Sequence, residues 1–286
     1  MKQIKFITTF NYNGYNVYGQ SWIESFLEFT KNYDNITAKI YVNDMDLIDY
    51  GPKVKMVNFD TVIPQHKDWV SMFRQHSNHD QWNKDLGVKF SYKSFVMLDA
   101  LKTNTDCYIV WLDGDSIFKS YEFDTFPKDI LNNTFIACQR EGGSEHVESG
   151  IIIFDAEHSD KQKYIDKLEF FYMNPNEFNN FGQFFDGFAT GRTLNKINID
   201  YVDLNKDFGI IGIQSDPNCT FLNPEIGKRF HHNIGITGKK SYQNWKKFVH
   251  KDPFFQLIHG INDKSPEEQL QDNLSHIQNA MRGFVR

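Results

Sequence analysis

One short segment constrains this chain more than any other: an apolar run that ends in two closely spaced carboxylates. Residues 108–112 are all apolar or aromatic and β-prone, a pattern that predicts a buried strand. Asp113 and Asp115 follow directly, with only Gly114 between them. Ligands of open α/β sheets bind beyond the carboxyl ends of the strands. The pattern therefore predicts a site for a divalent cation and, through the cation, a diphosphate.

Other interpretations of this acid pair were weighed. An EF-hand loop needs an oxygen ligand, a glycine and a glutamate at three later positions, where this chain has Ile117, Phe118 and Asp124. That motif is therefore excluded. Two alternatives stay open. One is a turn in which the acids only cap the strand end. The other is a phosphatase of the haloacid-dehalogenase type that uses Asp113 as its nucleophile, although such motifs usually lie near the N-terminus.

The hydrophobic periodicity predicts an α/β protein, because strand-like and helix-like segments alternate along the chain. The predicted strands are residues 4–10, 38–42, 54–59, 108–112, 135–139 and 150–154. The predicted helices are residues 20–31, 91–102 and 164–173. We expect loops at residues 11–19, an irregular aromatic insertion or lid at residues 64–86, and a loop followed by a short helix at residues 174–191.

The end of the sequence predicts one further helix. Ser265, Pro266 and Glu268 match a helix start, with serine as N-cap, proline first and glutamate third. An apolar stripe follows, which predicts docking onto the chain's own core or, as the alternative, a homodimer contact. We therefore divide the chain into one domain of residues 1–262 and a C-terminal amphipathic helix of residues 263–286.

The overall composition makes some kinds of protein less expected. The 286 residues carry a net charge of −6, which gives no global basic field for nucleic acid. Three widely spaced cysteines without a CxxC motif predict reduced thiols. The sequence shows no signal peptide and no apolar run of about 18 residues, so no membrane span is expected. We expect a cytoplasmic protein, either bacterial or encoded by a virus and made in the host cytoplasm.

A second segment, residues 231–240, carries groups suited to phosphate and metal. His232 offers an imidazole that could complete a manganese site, and Gly235 allows close backbone approach to phosphate. Lys239 is a mobile donor for phosphate oxygens. A polar surface turn is the alternative interpretation of the same segment.

Together, the acid pair after an apolar strand and the spacing His232-x-x-Gly235-x-x-x-Lys239 resemble nucleotide-sugar glycosyltransferases of the GT-A fold, particularly the family 8-like group. The resemblance implies a Rossmann-like single domain with a central, mostly parallel sheet flanked by helices, plus a C-terminal helical extension. The segment has one residue more before its lysine than the family pattern. His231 and Lys240 therefore stay open as alternatives.

The resemblance also implies site residues. Mn²⁺ or Mg²⁺ would be held by Asp113, Asp115 and His232. Asp186 or Glu148 would serve the acceptor as catalytic carboxylates. Residues implied to contact the nucleotide-diphosphate sugar are Thr8, Thr9, Phe10, Asn11, Tyr15, Lys89, Lys93, Asp113, Gly114, Gly235 and Lys239.

The function implied is metal-dependent transfer of a sugar, expected from a UDP-sugar, to a hydroxyl acceptor on a glycan, a protein or a modified nucleobase. Retention of the anomeric configuration is expected by analogy, with inversion through Asp186 or Glu148 as the alternative. The competing functions are the phosphatase, a nucleotidyltransferase and a nucleotide-sugar-binding protein without turnover.

Overall fold

A seven-stranded sheet lies at the centre of the computed structural model, which describes residues 1–140, 146–208, 221 and 223–232. The strands are β1 (Gln3–Asn11), β2 (Ile36–Asn43), β3 (Val54–Asn58), β4 (Cys107–Leu112), β5 (Ser116–Phe118), β6 (Ile136–Arg140), β7 (Val147–Asp155), β8 (Tyr201–Asp203) and β9 (Phe230–His232). The order in the large sheet is β3-β2-β1-β4-β7-β6-β8, and β5 pairs with β9 in a separate antiparallel ribbon.

The large sheet is mostly parallel. Strands β1 to β4 in it pair in parallel, as do β6 and β8. Strand β7 runs antiparallel to both of its neighbours, β4 and β6. The carboxyl ends of β1, β2 and β4 therefore meet at one edge, where ligands of such sheets bind. The predicted α/β fold, with a mostly parallel sheet flanked by helices, is confirmed.

Helices connect and cover the strands. The described α-helices are α1 (Tyr12–Gly14), α2 (Gln20–Thr30), α3 (Phe59–Val62), α4 (Gln65–His76), α5 (Gln81–Thr103), α6 (Lys128–Leu131), α7 (Lys161–Met173), α8 (Pro175–Phe178), α9 (Asp186–Ile197) and α10 (Pro224–Gly227). A π-helical turn, Tyr15–Gly19, joins α1 to α2. None of these helices combines the length and the apolar character that crossing a bilayer requires.

Strand β1 shows how the two layers form. Successive side chains of a strand point to opposite faces. Phe6 contacts Phe26 of α2 and Phe118 of β5, with ring centroids 5.9 and 5.0 Å away. Ile7 belongs instead to the large core cluster on the other face, with buried residues such as Leu98 of α5. Both faces of the sheet are thus covered.

Two predicted loops are helical, and both predictions were wrong. Residues 64–86 hold α4 and the start of α5 rather than a lid. His66, Trp69 and Phe73 are spaced as one helical face and are buried. Residues 11–19 form α1 and the π-helical turn, begun by the Asn11 side chain, which accepts a hydrogen bond from the Gly14 N–H group at 2.7 Å. In both segments, polar residues at the exposed positions hid the helical pattern from the sequence analysis.

Several predictions fall outside the described residues. These are Gly235, Lys239 and the alternative Lys240, together with the C-terminal helix of residues 263–286 and its dimer contact. The division into residues 1–262 and 263–286 stays a prediction for the same reason.

Candidate active site

The turn after β4 holds the acid pair in a fixed position. The Asp113 N–H group donates to the Gly150 carbonyl oxygen at 2.9 Å, which ties the turn to β7. The Ser116 N–H group donates to the Asp113 carbonyl oxygen at 3.0 Å and closes the turn. Trp111 adds a side-chain contact, because its Nε1–H group donates to Asp113 Oδ1 at 2.8 Å. Backbone hydrogen bonds thus fix the turn, and the indole of Trp111 fixes the carboxylate of Asp113.

Gly114 is required by the close approach of β1. A Cβ atom at this position would lie 2.5 Å from Cε1 of Phe10 and 3.0 Å from Cε2 of Tyr18. Such distances are overlaps, so a larger residue would displace these rings or the turn. The predicted donor-site residues Phe10 and Gly114 are therefore in contact. Tyr18 belongs to the same cluster, although the sequence interpretation did not select it.

A histidine completes the cluster. In the β5–β9 ribbon, His232 is paired with Ser116, which places it beside Asp115. His232 Nε2 lies 3.0 Å from Asp115 Oδ1 and 4.0 Å from Asp113 Oδ2. One ligand atom from each of the three residues lies within 4.8 Å of the others. His231 lies on the opposite face of β9 by strand alternation, so His232 is the histidine that faces the acids.

The three side chains fit a divalent cation. Two carboxylate oxygens suit hard cations such as Mn²⁺ and Mg²⁺, and one imidazole nitrogen can complete a manganese site. Burial alone would lower the pKa of His232, but its hydrogen bond to Asp115 and the surrounding carboxylates raise that pKa above the ordinary value. The negative charge of the site therefore favours a bound cation.

The side chain of Lys93 contacts both Asp113 of the acid pair and Asp186. The Lys93 ammonium group lies 2.7 Å from Asp113 Oδ1 and 3.3 Å from Asp186 Oδ2. It also donates to Ser149, to the carbonyl oxygen at 3.0 Å and to Oγ at 2.9 Å. The side chain is buried, which opposes a charge, but the charges of Asp113 and Asp186 raise its pKa above the ordinary value. Because its three N–H bonds already have partners, Lys93 is poorly placed to bind phosphate.

Of the two predicted catalytic carboxylates, Asp186 contacts Lys93, and Glu148 lies close enough for the Lys93 charge to affect its pKa. Asp186 is 4% exposed, and apart from the Lys93 ammonium group 3.3 Å away its Oδ2 atom has no hydrogen-bond partner among the described residues. Glu148 is half-buried and its Oε1 atom accepts from the Gly150 N–H group at 3.2 Å. Burial raises the pKa of Glu148 to about 7, against the influence of Lys93 and with that of Asp113. A buried carboxylate oxygen that has only one long contact, such as Asp186 Oδ2, can still accept a hydrogen bond from a substrate hydroxyl.

Two cavities lie at the ends of β1 and β2. The first, of about 260 Å³, is lined by predicted donor-site residues and by several that were not predicted: Thr9, Phe10, Asn11, Tyr18, Asn43, Asp44, Lys89 and Tyr92. The second, of about 620 Å³, is lined by Tyr12, Tyr15, Asp44, Met45, Asp46 and Ile48. Asp44 borders both cavities. The exposed Lys89, rather than the buried Lys93, therefore offers a cation to a bound ligand.

Some site residues were missed, and several predicted ones do not line these two cavities. Asn43 ends β2 and Asp44 follows it, much as Asp113 follows β4, so the same strand-end rule could have identified them. Phe221 stacks on His232, with centroids 4.9 Å apart, a contact without a sequence signal. Thr8 is fully buried and does not line either cavity.

No protein-family model matches this chain, and no curated protein matches it in sequence. Solved structures with a similar fold include an active-site variant of LgtC, at 11% identity over 85% of this chain and 95% of that chain, with a TM-score of 0.49. Mouse xyloside xylosyltransferase 1, in its apo form, is 12% identical over 68% of this chain and 82% of that chain, with a TM-score of 0.43. A glycosyltransferase involved in glycosylation of the major capsid of PBCV-1 is 11% identical over 86% of this chain and 99% of that chain, with a TM-score of 0.40.

Proposed function

We propose that this protein is a metal-dependent glycosyltransferase of the GT-A type that moves a sugar from a nucleotide-diphosphate sugar to a hydroxyl acceptor. The observation that carries the proposal is the convergence of Asp113, Asp115 and His232 at the edge of the sheet where two cavities open. A cation held there would neutralise charge that develops on a diphosphate leaving group. The buried Asp186 lies on the other side of Lys93 from that cluster.

The two cavities suit the nucleoside of the donor. Aromatic and amide side chains, such as Phe10, Asn11 and Asn43, can contact a base and a ribose. Lys89 supplies the positive charge at the same cavity. We assign the nucleoside to these cavities and the diphosphate to the space between them and the acid pair.

The proposed reaction breaks one bond at C1 of the donor sugar and forms another at the same atom. The bond from sugar C1 to the diphosphate oxygen breaks, and the diphosphate leaves with the electron pair. A bond from C1 to the acceptor oxygen forms, and the hydroxyl proton passes to a carboxylate. We assign Asp186 to orient that hydroxyl or accept its proton, because its buried Oδ2 atom has, apart from the ion pair with Lys93 at 3.3 Å, no hydrogen-bond partner among the described residues. Glu148, whose pKa is about 7, is the second candidate.

Two finer assignments come from the sequence resemblance. The family 8-like pattern favours a UDP-sugar donor and retention of the anomeric configuration, and both are part of the proposal. The configuration of the first-formed product, read by NMR within minutes of mixing, tests retention. An inverted first product would instead indicate a single displacement from the opposite face of C1, with Asp186 or Glu148 again as the proton acceptor.

A donor screen tests the proposed function. Purified protein is incubated with UDP-, GDP-, ADP- and CDP-sugars in Mn²⁺, Mg²⁺ or EDTA, and released nucleoside diphosphate is measured. We expect turnover of one donor class that EDTA abolishes. The variants D113N and D115N should each lower turnover by at least about 100-fold, since charge stabilisation of that size is typical of catalytic groups. The control D129N changes an exposed acid elsewhere and should leave turnover unchanged.

Other outcomes identify the competitors. Phosphate release from a phosphomonoester, without any turnover of nucleotide sugars, would replace the proposal with the phosphatase. Pyrophosphate as the product would favour a nucleotidyltransferase. Metal-dependent binding of a nucleotide sugar without turnover, with or without acceptors, would favour a binding protein.

A further inference from the structure

Four aromatic rings form a row beside Asp186. The ring centroids of Phe90 and Phe185 are 5.2 Å apart, and those of Phe185 and Phe188 are 6.3 Å apart. The row continues to His146, whose ring centroid is 4.9 Å from that of Phe188. These four residues, which we call the aromatic row, come from α5, from the start of α9 and from the residue before β7. All four are half-buried, so part of each ring stays accessible.

The aromatic row lies next to the proposed catalytic carboxylate. Phe90 precedes Lys93 by three residues on α5, which places the two side chains on neighbouring positions of one helix face. Phe185 directly precedes Asp186. The contacts Phe90–Phe185 and Lys93–Asp186 are therefore adjacent contacts between the same two segments. The aromatic contact is half-exposed, and the ionic contact is buried.

The aromatic row differs from the aromatic core beside it. Trp69, Phe73 and Phe184 are fully buried and pack on one another. In the row, Phe188 packs partly against that core, and the other three are not among its members. Half-exposed rings beside a buried carboxylate suit a ligand that has both an apolar face and hydroxyl groups.

A pyranose ring has this character, because C–H groups line one face and hydroxyl groups project from its rim. We propose that the aromatic row binds pyranose rings of the acceptor, so that the acceptor is an oligosaccharide whose terminal hydroxyl reaches Asp186. This inference rests on the proposed function and names its acceptor class. The row is longer than one sugar ring, which favours at least two consecutive residues of a glycan.

Nucleobases also stack on aromatic rings, but a polynucleotide brings phosphate charges with it. Two cations lie near the row: Lys93, which is paired with Asp113 and Asp186, and Lys89, whose ammonium group is 5.5 Å from the Phe90 ring centroid. The carboxylates of Asp186, Glu148 and the acid pair outnumber these two lysines, and the net charge of the chain is −6. This charge disfavours a polynucleotide and has little effect on a neutral glycan. A neutral oligosaccharide is therefore the acceptor that the surroundings of the row favour.

The test combines binding with transfer. Saturation-transfer NMR of the full chain uses lactose, maltotetraose, cellotetraose and chitotetraose as probes, with oligothymidylate as the polynucleotide probe. We expect at least one tetrasaccharide to bind more tightly than its monosaccharide, and F90L and F185L to weaken that binding by about tenfold or more, a loss typical of one aromatic contact. F170L, which changes a 43% exposed phenylalanine on α7, is the control and should bind as the unmodified protein does.

Measuring sugar transfer distinguishes a failure of this inference from a failure of the proposed function. With the bound oligosaccharide as acceptor, the ratio of transfer to donor hydrolysis should fall by about tenfold in F185L and stay unchanged in F170L. Oligosaccharide binding that depends on the row, without turnover of any donor, would support the row as a glycan site and sink the transferase. Donor hydrolysis without any row-dependent oligosaccharide binding, or preferential binding of oligothymidylate, would overturn the inference and leave the transferase intact.

Discussion

Lys93 is the residue on which the charge balance of the site depends. It contacts Asp113 and Asp186 directly, and its charge also acts on Glu148. A buried ammonium group costs free energy by desolvation unless carboxylates compensate it. Lys93 in turn stabilises the carboxylates, which would repel one another without its positive charge. We infer that Lys93 positions the acids with which it is paired.

Replacing Lys93 by methionine tests this balance. K93M keeps an unbranched side chain one atom shorter but leaves the buried carboxylates without their cation, so we expect the free energy of unfolding to fall by about 3 kcal/mol or more. Urea denaturation in EDTA measures the change. Adding D113N to K93M should restore part of the loss, since fewer uncompensated charges then remain.

A surface ion pair provides the matched control for this prediction. Lys31 contacts Glu28 at 2.8 Å, and its side chain is 52% exposed. K31M should change the free energy of unfolding by less than about 1 kcal/mol. Equal effects of K93M and K31M would contradict the positioning role.

His66 predicts a pH dependence of stability. Its ring is buried against Tyr92 and Phe95, and its Nε2 atom lies 2.8 Å from Ser91 Oγ. Burial lowers the pKa of His66 to about 4, with a small opposing effect of Asp60. Between about pH 6.5 and pH 4, the unfolded chain binds a proton at this residue that the folded chain does not bind. Stability should therefore fall as the pH drops through this window.

The expected loss from His66 is about 3 kcal/mol, from the difference between the folded and unfolded pKa values. Urea denaturation at pH 7, 5.5 and 4.5 compares the unmodified protein with H66Q, which cannot titrate. H76Q changes an exposed histidine on α4 and serves as the control. H66Q should show a flatter dependence of unfolding free energy on pH, whereas parallel curves would show that His66 does not contribute.

At the scale of elements, the docking of α9 on β7 positions Asp186. Gly187 sits at this contact, and a Cβ atom there would lie 2.3 Å from the Val147 carbonyl oxygen and 2.9 Å from His146 Nε2. G187A should therefore push α9 away and lower the free energy of unfolding by about 1–3 kcal/mol, as overpacking does. Because Asp186 is the adjacent residue, sugar transfer should fall as well.

Gly182 supplies the comparison for G187A. A Cβ atom at Gly182 meets no heavy atom within 4 Å. G182A should change the stability by no more than about 0.5 kcal/mol and leave transfer unchanged. Thermal unfolding and donor turnover of both variants test the pair, and a stable, active G187A would show that the contact has room to relax.

The sequence predicted some elements well for a physical reason. Buried strands such as β4 are continuous apolar runs, and their carboxyl ends mark the ligand edge. The acid pair and His232, which are over 100 residues apart, could be connected only through the resemblance of both segments to the motifs of one family. Helix α4 was missed because its buried face consists of His66, Trp69 and Phe73 among mainly polar residues. Lys93 was selected, but its ion pairs depend on packing of α5 against α9, which periodicity does not reveal.

At the scale of the whole molecule, the site depends on three strand ends and a separate ribbon meeting at one place. Asn11 ends β1, Asn43 ends β2, and Asp113 follows β4, while β9 brings His232 from the far part of the described chain. In the unfolded chain, these four side chains would not be held close to one another. Ligand binding should therefore stabilise the entire fold rather than one segment.

This linkage gives a prediction for metal and nucleotide together. A ligand at 100 times its Kd adds about 2.7 kcal/mol to the free energy of unfolding, which is a Tm increase of about 5–10 °C for a domain of this size. Mn²⁺ and a nucleoside diphosphate should stabilise more together than the sum of their separate effects, because the diphosphate would share the cation with Asp113 and Asp115. The double variant D113N/D115N should lose the synergy, and D129N should keep it. Strictly additive Tm shifts in the unmodified protein would mean that the cation and the nucleotide bind apart, and the shared site would then be wrong even if each ligand binds.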